Sequence, residues 1–191
     1  MTTALWLLAV QGAVGAFDTL YYHEWRARLP AWRGALPELR LHAARALIYG
    51  VVFAGLPRFE WRGAWAYVLV ALLAAEVVIT LRDFVVEDRV RAPLGGVYAG
   101  ERVTHALMAV IYGAMLANLL PAALGWRREP TALAPHAQSV PAQLVWLLTL
   151  MALGVTASGL RDAYAALGLP GGGWPWTKAA TALSSRGGAE A

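Results

Sequence analysis

The chain has no cysteine, only four histidines and few charged residues, 15% of its 191 positions. Without a thiol there are no disulfides, thiolate-bound zinc sites, iron–sulfur clusters or cysteine nucleophiles. Average soluble domains carry about 25% charged residues, so this shortage, with a mean hydropathy of +0.50, separates the chain from ordinary soluble enzymes. The charge that is present is mostly basic, 16 Lys+Arg against 12 Asp+Glu, with a sequence pI near 9.8. A nucleic-acid-binding protein gathers such charge on a solvated face. Here the arginines stand between long apolar runs, as membrane topology signals do, and no nucleic-acid partner is expected. No serine lies in a G-x-S-x-G context. The segment "PLGGVYAG" lacks the lysine and strand of a phosphate-binding loop, so a hairpin turn accounts for its glycines.

A bilayer core about 30 Å thick takes roughly 20 apolar helical residues, and five segments qualify: 3–22, 41–57, 64–81, 103–121 and 141–160. The N-terminal run lacks the basic flank of a signal peptide and reads as a helix. Arg26, Arg28, Arg33 and Arg40 lie between segments 1 and 2, and Arg82, Arg89, Arg91 and Arg102 between 3 and 4; the opposite connections hold only Arg58, Arg62, Arg127 and Arg128. The positive-inside rule then puts the N-terminus outside and the C-terminus in the cytoplasm of a bacterial-type inner (plasma) membrane. Trp6, Trp25, Trp61, Trp65, Trp126, Trp174 and Trp176 fall near span ends, where indoles favour the interface. The expected organisation is one transmembrane domain over 1–167 and a flexible cytoplasmic tail over 168–191.

The chain also repeats itself. "ELRLHAARALIYGVVFAGL" from Glu38 matches "ERVTHALMAVIYGAMLANL" from Glu101 at nine of nineteen positions, sharing E-x3-H-A and a later I-Y-G. Segments 1 and 3 align more weakly, with Asp18 over Asp83 and Arg26 over Arg91. The fold class expected is therefore an all-α integral membrane protein of five transmembrane helices. Repeat 1 (about 4–57) and repeat 2 (about 64–121) are hairpins forming a four-helix bundle, and the extra helix (about 141–167) packs outside it.

Helical spacing puts residues three, four and seven apart on one face. The stripes so defined carry Asp18; Glu38, His42, Arg45 and Tyr49; Glu76, Asp83 and Glu87; Glu101, His105 and Tyr112. Ionisable groups inside spans are costly and turn toward the bundle interior. Arg45 and Arg82 are the nearby cations, and two arginines cannot neutralise six or more carboxylates, which calls for a bound cation or protons. Single carboxylates on two helices plus a Glu/His pair on each of two others is the ligand set of di-iron bundles, although those use E-x-x-H. The expected metal ligands are Asp18, Glu38, His42, Asp83, Glu87, Glu101 and His105, holding divalent metal, two ions of Fe, Mn or Zn.

This predicts a metal-binding membrane protein, an oxidoreductase taking a lipophilic small molecule from the bilayer at the cytoplasmic leaflet, with Tyr49 and Tyr112 as proton or hydrogen-bond donors and Glu76 as a proton relay. The alternatives are a b-type cytochrome with haem b between His42 and His105, and a proton or divalent-cation transporter using the buried carboxylates, which with five spans would call for a homo-oligomer. His23 falls off the α-helical stripe and is expected at the surface, and His136, in a Pro-rich loop, in solvent.

Overall fold

A computed structural model describes residues 1–176. It is mostly helical. Helix α1 (Thr2–Phe17) passes without a break into a π-helical segment, Asp18–Arg26. Two short 3-10 turns lead to α2 (Leu36–Gly55), with Pro37 in its first turn, where a missing N–H costs nothing. Strand β1 (Phe59–Arg62) precedes α3 (Ala64–Arg91), and α4 (Ala99–Trp126) follows a turn at Gly95 and Gly96, both with positive φ. Strand β2 (Ala132–Pro135) and α5 (Ala142–Ala166) complete the order.

Among the described residues, four helices are long and apolar enough to cross a membrane: Thr2–Arg26, Ala64–Leu94, Ala99–Trp126 and Ala142–Ala166. Helix α2 is not among them, because Glu38, Arg40 and Arg45 lower its hydropathy. The outer faces of the others carry exposed Val10, Val78, Leu81, Val85, Val103, Val110, Trp146 and Leu153. So much exposed apolar surface is foreign to a water-soluble monomer and suits lipid.

The helices form a closed ring in which α1 packs on α4, α4 on α3, α3 on α2, α2 on α5 and α5 on α1. The expectation that the fifth helix lies outside a bundle of four is corrected here, since α5 stands between α1 and α2 and makes its most extensive contact with α2. Small residues permit this approach, as in membrane helix pairs generally. A Cβ on Gly159 would lie 2.7 Å from the Ala46 Cβ, and one on Gly50 would strike Thr156.

Half of the ring is a dry core. Leu5 and Leu8, Val52 and Phe53, Leu69 and Leu73, Met115 and Leu119, and Leu144 and Leu148 meet there. Trp61 and Trp126, read from the sequence as interfacial, belong to this core and are 4% and 8% exposed. The core is capped by β1 and β2, which pair antiparallel from Phe59 opposite Pro135 to Arg62 opposite Ala132. His136 is tucked against this cap, with Nε2 donating to the Leu56 carbonyl at 2.7 Å, rather than standing in solvent.

At the opposite end, residues 168–176 turn back over the helices. Arg161 donates to the Trp174 carbonyl at 2.8 Å and bonds Glu24, and the Trp176 indole donates to Glu24 at 3.1 Å. Of the tail expected from 168 onward, residues 177–191 lie outside the described residues.

Candidate metal centre

Each repeat of E-x3-H opens a helix. Glu38 and Glu101 lie in the first turns of α2 and α4, where the helix dipole favours a carboxylate. His42 and His105 follow one turn later on the same face. Helix α3 runs toward this end and delivers Glu76, Asp83, Glu87 and Arg91 at successive spacings of seven, four and four residues, all buried. The π-helical segment delivers Asp18 and His23. Its i→i+5 bonding stacks residues five apart, so His23 lies above Asp18 and points into the cluster. An α-helical reading puts it elsewhere, which is why the expected surface position for His23 fails.

The carboxylates and imidazoles meet across the ring. Asp18 Oδ2 is 3.3 Å from His105 Nε2 and 3.3 Å from His23 Nε2, and His23 Nε2 is 3.2 Å from Glu101 Oε1. On the other side Asp83 Oδ2 is 3.2 Å from His42 Nε2, with Glu38 Oε1 3.7 Å from that nitrogen. Glu87 Oε1 lies 3.5 Å from His105 Nδ1. The His23 ring stacks on His42 with centroids 4.6 Å apart.

Asp18 and His105 are within hydrogen-bond reach, and all the separations, 3.2–3.7 Å, lie at or above the upper end of the usual range of about 2.7–3.2 Å. They match the spacing of two ligands on one tetrahedral ion, about 3.3 Å for metal–ligand bonds of about 2.0–2.1 Å. The His23 Nε2, although close to two carboxylates, makes no hydrogen bond, and Asp18 Oδ1, Asp83 Oδ1, Glu87 Oε2 and Glu101 Oε2 are also buried without a partner. Buried polar atoms are normally satisfied. Among the described residues, two groups of side chains are close enough to hold a metal ion, Asp18/His23/His105 and His23/Glu38/His42, and His23 belongs to both.

Two arginines enter the cluster. Arg91, the last residue of α3, is fully buried and binds Glu38 through Nε and Nη2 at 2.7–3.0 Å and Glu101 through Nη2 at 3.1 Å. Arg45 binds Asp83 at 3.1 Å and approaches Glu76 at 3.4 Å. Arg82, expected as the second cation, is exposed, and Arg91, expected in a cytoplasmic loop, takes that role. Two guanidinium groups still face six buried carboxylates, Asp18, Glu38, Glu76, Asp83, Glu87 and Glu101. A seventh, Asp162 of α5, is 6% exposed and went unnoticed because its helix has no repeat partner.

Tyr49, Tyr112 and Glu76 form a layer deeper in the bundle. Gln11 donates to the Tyr49 hydroxyl at 3.3 Å, Tyr112 donates to the Leu73 carbonyl at 3.3 Å, and Thr80 donates to Glu76 at 2.8 Å. Seven residues of helix, about 10 Å, separate Tyr49 from His42 and Tyr112 from His105, so neither hydroxyl touches the imidazoles.

A cavity of about 500 Å³ reaches the cluster from the side, between α1, α2 and α5, with Asp18, His23, His42 and Asp162 at its polar end. No family model, curated protein or solved structure matches this chain, so the functional reading rests on these side chains.

Proposed function

We propose that this is a membrane-embedded metalloprotein, a di-metal oxidoreductase acting on a lipophilic substrate at the leaflet facing the polar end of the bundle. One ion binds between Asp18, His23 and His105, the other between Glu38, His42 and Asp83, with Glu87 and Glu101 as further ligands. The observation that carries this reading is the His23 Nε2, buried, unbonded and 3.2–3.3 Å from two carboxylate oxygens. Imidazole and carboxylate suit Fe, Mn or Zn, and of these Fe or Mn would supply the oxidation chemistry. Arg45 and Arg91 hold the carboxylates in place.

In this reading all five helices span the bilayer of a bacterial-type inner membrane. The arginine-rich end, with Arg26, Arg28, Arg33, Arg40, Arg89 and Arg102, faces the cytoplasm, and the two-stranded cap faces outward. Helices α1 to α4 derive from a duplicated hairpin. The paired contacts Asp18–His105 and Asp83–His42 support this, as does the packing of α1 on α4 and of α3 on α2. Glu87 and His23 are counterparts once the one-residue π insertion is allowed for.

A haem between His42 and His105 fits poorly, because the His23 ring stacked on His42 fills the space a macrocycle needs. A cation pathway through Glu76 fits poorly too, since Thr80 and Arg45 engage that carboxylate. The test is elemental analysis and an absorption spectrum of purified wild type, Asp83→Ala, Glu101→Ala and His105→Ala. Carboxylate and histidine variants are expected to lose metal alike. A Soret band lost only on histidine substitution would establish the cytochrome instead.

A further inference from the structure

The cavity beside the cluster has a shape that selects its occupant. It is bounded on α5 from Leu150 to Asp162, twelve residues or about 18 Å along the helix. Its volume of about 500 Å³ over that length leaves a mean cross-section of about 28 Å². A single extended hydrocarbon chain fits this space. The walls below the polar end are largely apolar. Phe53 and Met151 close the floor over Gly12, where a Cβ would lie 2.8 and 2.9 Å from them.

The cavity opens sideways. Leu20 on the π-helical segment and Leu150 on α5 line it and are also 66% and 64% exposed on the outer surface. Between them Gly154 leaves a gap, since a Cβ there would meet nothing within 4 Å. The charged end of the slot lies where the helices end and lipid headgroups begin, and its floor lies toward the middle of the bilayer. A lipid in that leaflet already has this orientation and can move in between α1 and α5 without turning over.

We infer that this slot binds one unbranched aliphatic chain of a single-chain lipid, parallel to the helices, with the carbons nearest its polar head beside His23 and His42. The inference rests on the metal-centre reading for its chemistry but not for its binding. Carbon–carbon bonds of ~1.52 Å at ~111° advance about 1.25 Å each, so the slot accommodates about fourteen carbons. Phe53 and Met151 act as the stop that sets chain length.

The probe is myristic acid with a terminal diazirine, photolysed with the full-length protein in phosphatidylcholine nanodiscs, and the adducts are mapped by mass spectrometry. Adducts are expected on Phe53 and Met151, reduced by excess myristate and untouched by cholesterol. Gly154→Trp fills the gap and is expected to lower this labelling about tenfold, equivalent to about 1.4 kcal/mol of binding, with melting temperature and metal content unchanged. Phe53→Ala removes the stop and is expected to make stearate a better competitor than myristate. Labelling spread over the outer faces of α3 and α4, labelling indifferent to Gly154→Trp, or competition by cholesterol equal to that by myristate would overturn the inference. Each experiment is run on metal-loaded and on chelator-treated protein. Floor labelling in protein that never binds metal would defeat the metal reading alone, whereas bound metal without floor labelling would defeat the slot alone.

Discussion

The two ends of the helix ring use opposite means of holding the same five helices together. At the sheet end, interdigitated leucines, Phe53, Met115, Trp61 and Trp126 fill the interior, and a short antiparallel pair ties the α2–α3 connection to the α4–α5 connection. At the other end the same helices converge on seven carboxylates, three imidazoles and two guanidinium groups, several of them without hydrogen-bond partners among the described residues. A dry core gains from each contact it makes. A buried polar cluster costs desolvation, and replacing such groups by well-packed apolar ones is often neutral or stabilising. A protein concerned only with stability would extend the leucine core through both ends, which is the reason to look for function at the polar end.

Substitutions can break or sharpen this contrast. The largest effect is expected from Arg91→Met, which strands Glu38 and Glu101 and should cost about 3–5 kcal/mol, read by detergent-induced unfolding. Adding Glu38→Gln and Glu101→Gln should recover most of it, and a cost below about 1 kcal/mol for Arg91→Met alone would mean that the cluster is not held by this residue. At the sheet end Leu119→Ala, fully buried, should cost about 2–5 kcal/mol through cavity formation, and no companion substitution at a charged position should rescue it. His23→Ala and His105→Ala should each lose mainly the ion held with Asp18, and His42→Ala mainly the other, as counted by elemental analysis. Loss of both ions from each of the three would deny two separate sites.

The smallest effect concerns Glu60 in the cap. The Ala137 N–H, 3.0 Å away, holds its carboxyl below the usual carboxylate range against the opposing effect of burial, and Arg62 adds to this. A depressed folded pKa stabilises above the unfolded value of about 4.3, and the contribution disappears as pH falls through the folded value. Wild type should therefore lose under about 1 kcal/mol on acidification below about pH 4 that Glu60→Gln does not lose.

Much of the polar end was legible in the sequence because the two similar segments from Glu38 and Glu101, and the weaker match of Asp18 with Asp83, carry Glu, His and Asp in α-helical register. Asp18, Glu38, His42, Asp83, Glu87, Glu101 and His105 all come together, as their stripes suggest. His23 was hidden by the π-helical turn, which changes the period on which a stripe is counted; its place one residue beyond the Glu87 equivalent was the available signal. Arg91 aligns with Arg26, which is exposed over the Tyr98 ring, so alignment could not separate a structural arginine from a topology signal. The seat of α5 between α1 and α2 depends on small residues, Ala46 and Gly50 facing Thr156 and Gly159, a pattern that merges into the background of an alanine-rich chain. The strand pair at the cap is four residues a side and held partly by Glu60, Arg62 and Glu129, too short to leave a period.

X-ray absorption at the metal edge of the purified protein tests the central claim most directly. Stoichiometric Fe, Mn or Zn is predicted, with only nitrogen and oxygen ligands at about 2.0–2.2 Å and the outer-shell scattering of bound imidazole, and about half of the metal lost in His23→Ala. Protein that purifies without these metals, binds none when supplied with them, and unfolds no differently in their presence would contradict it.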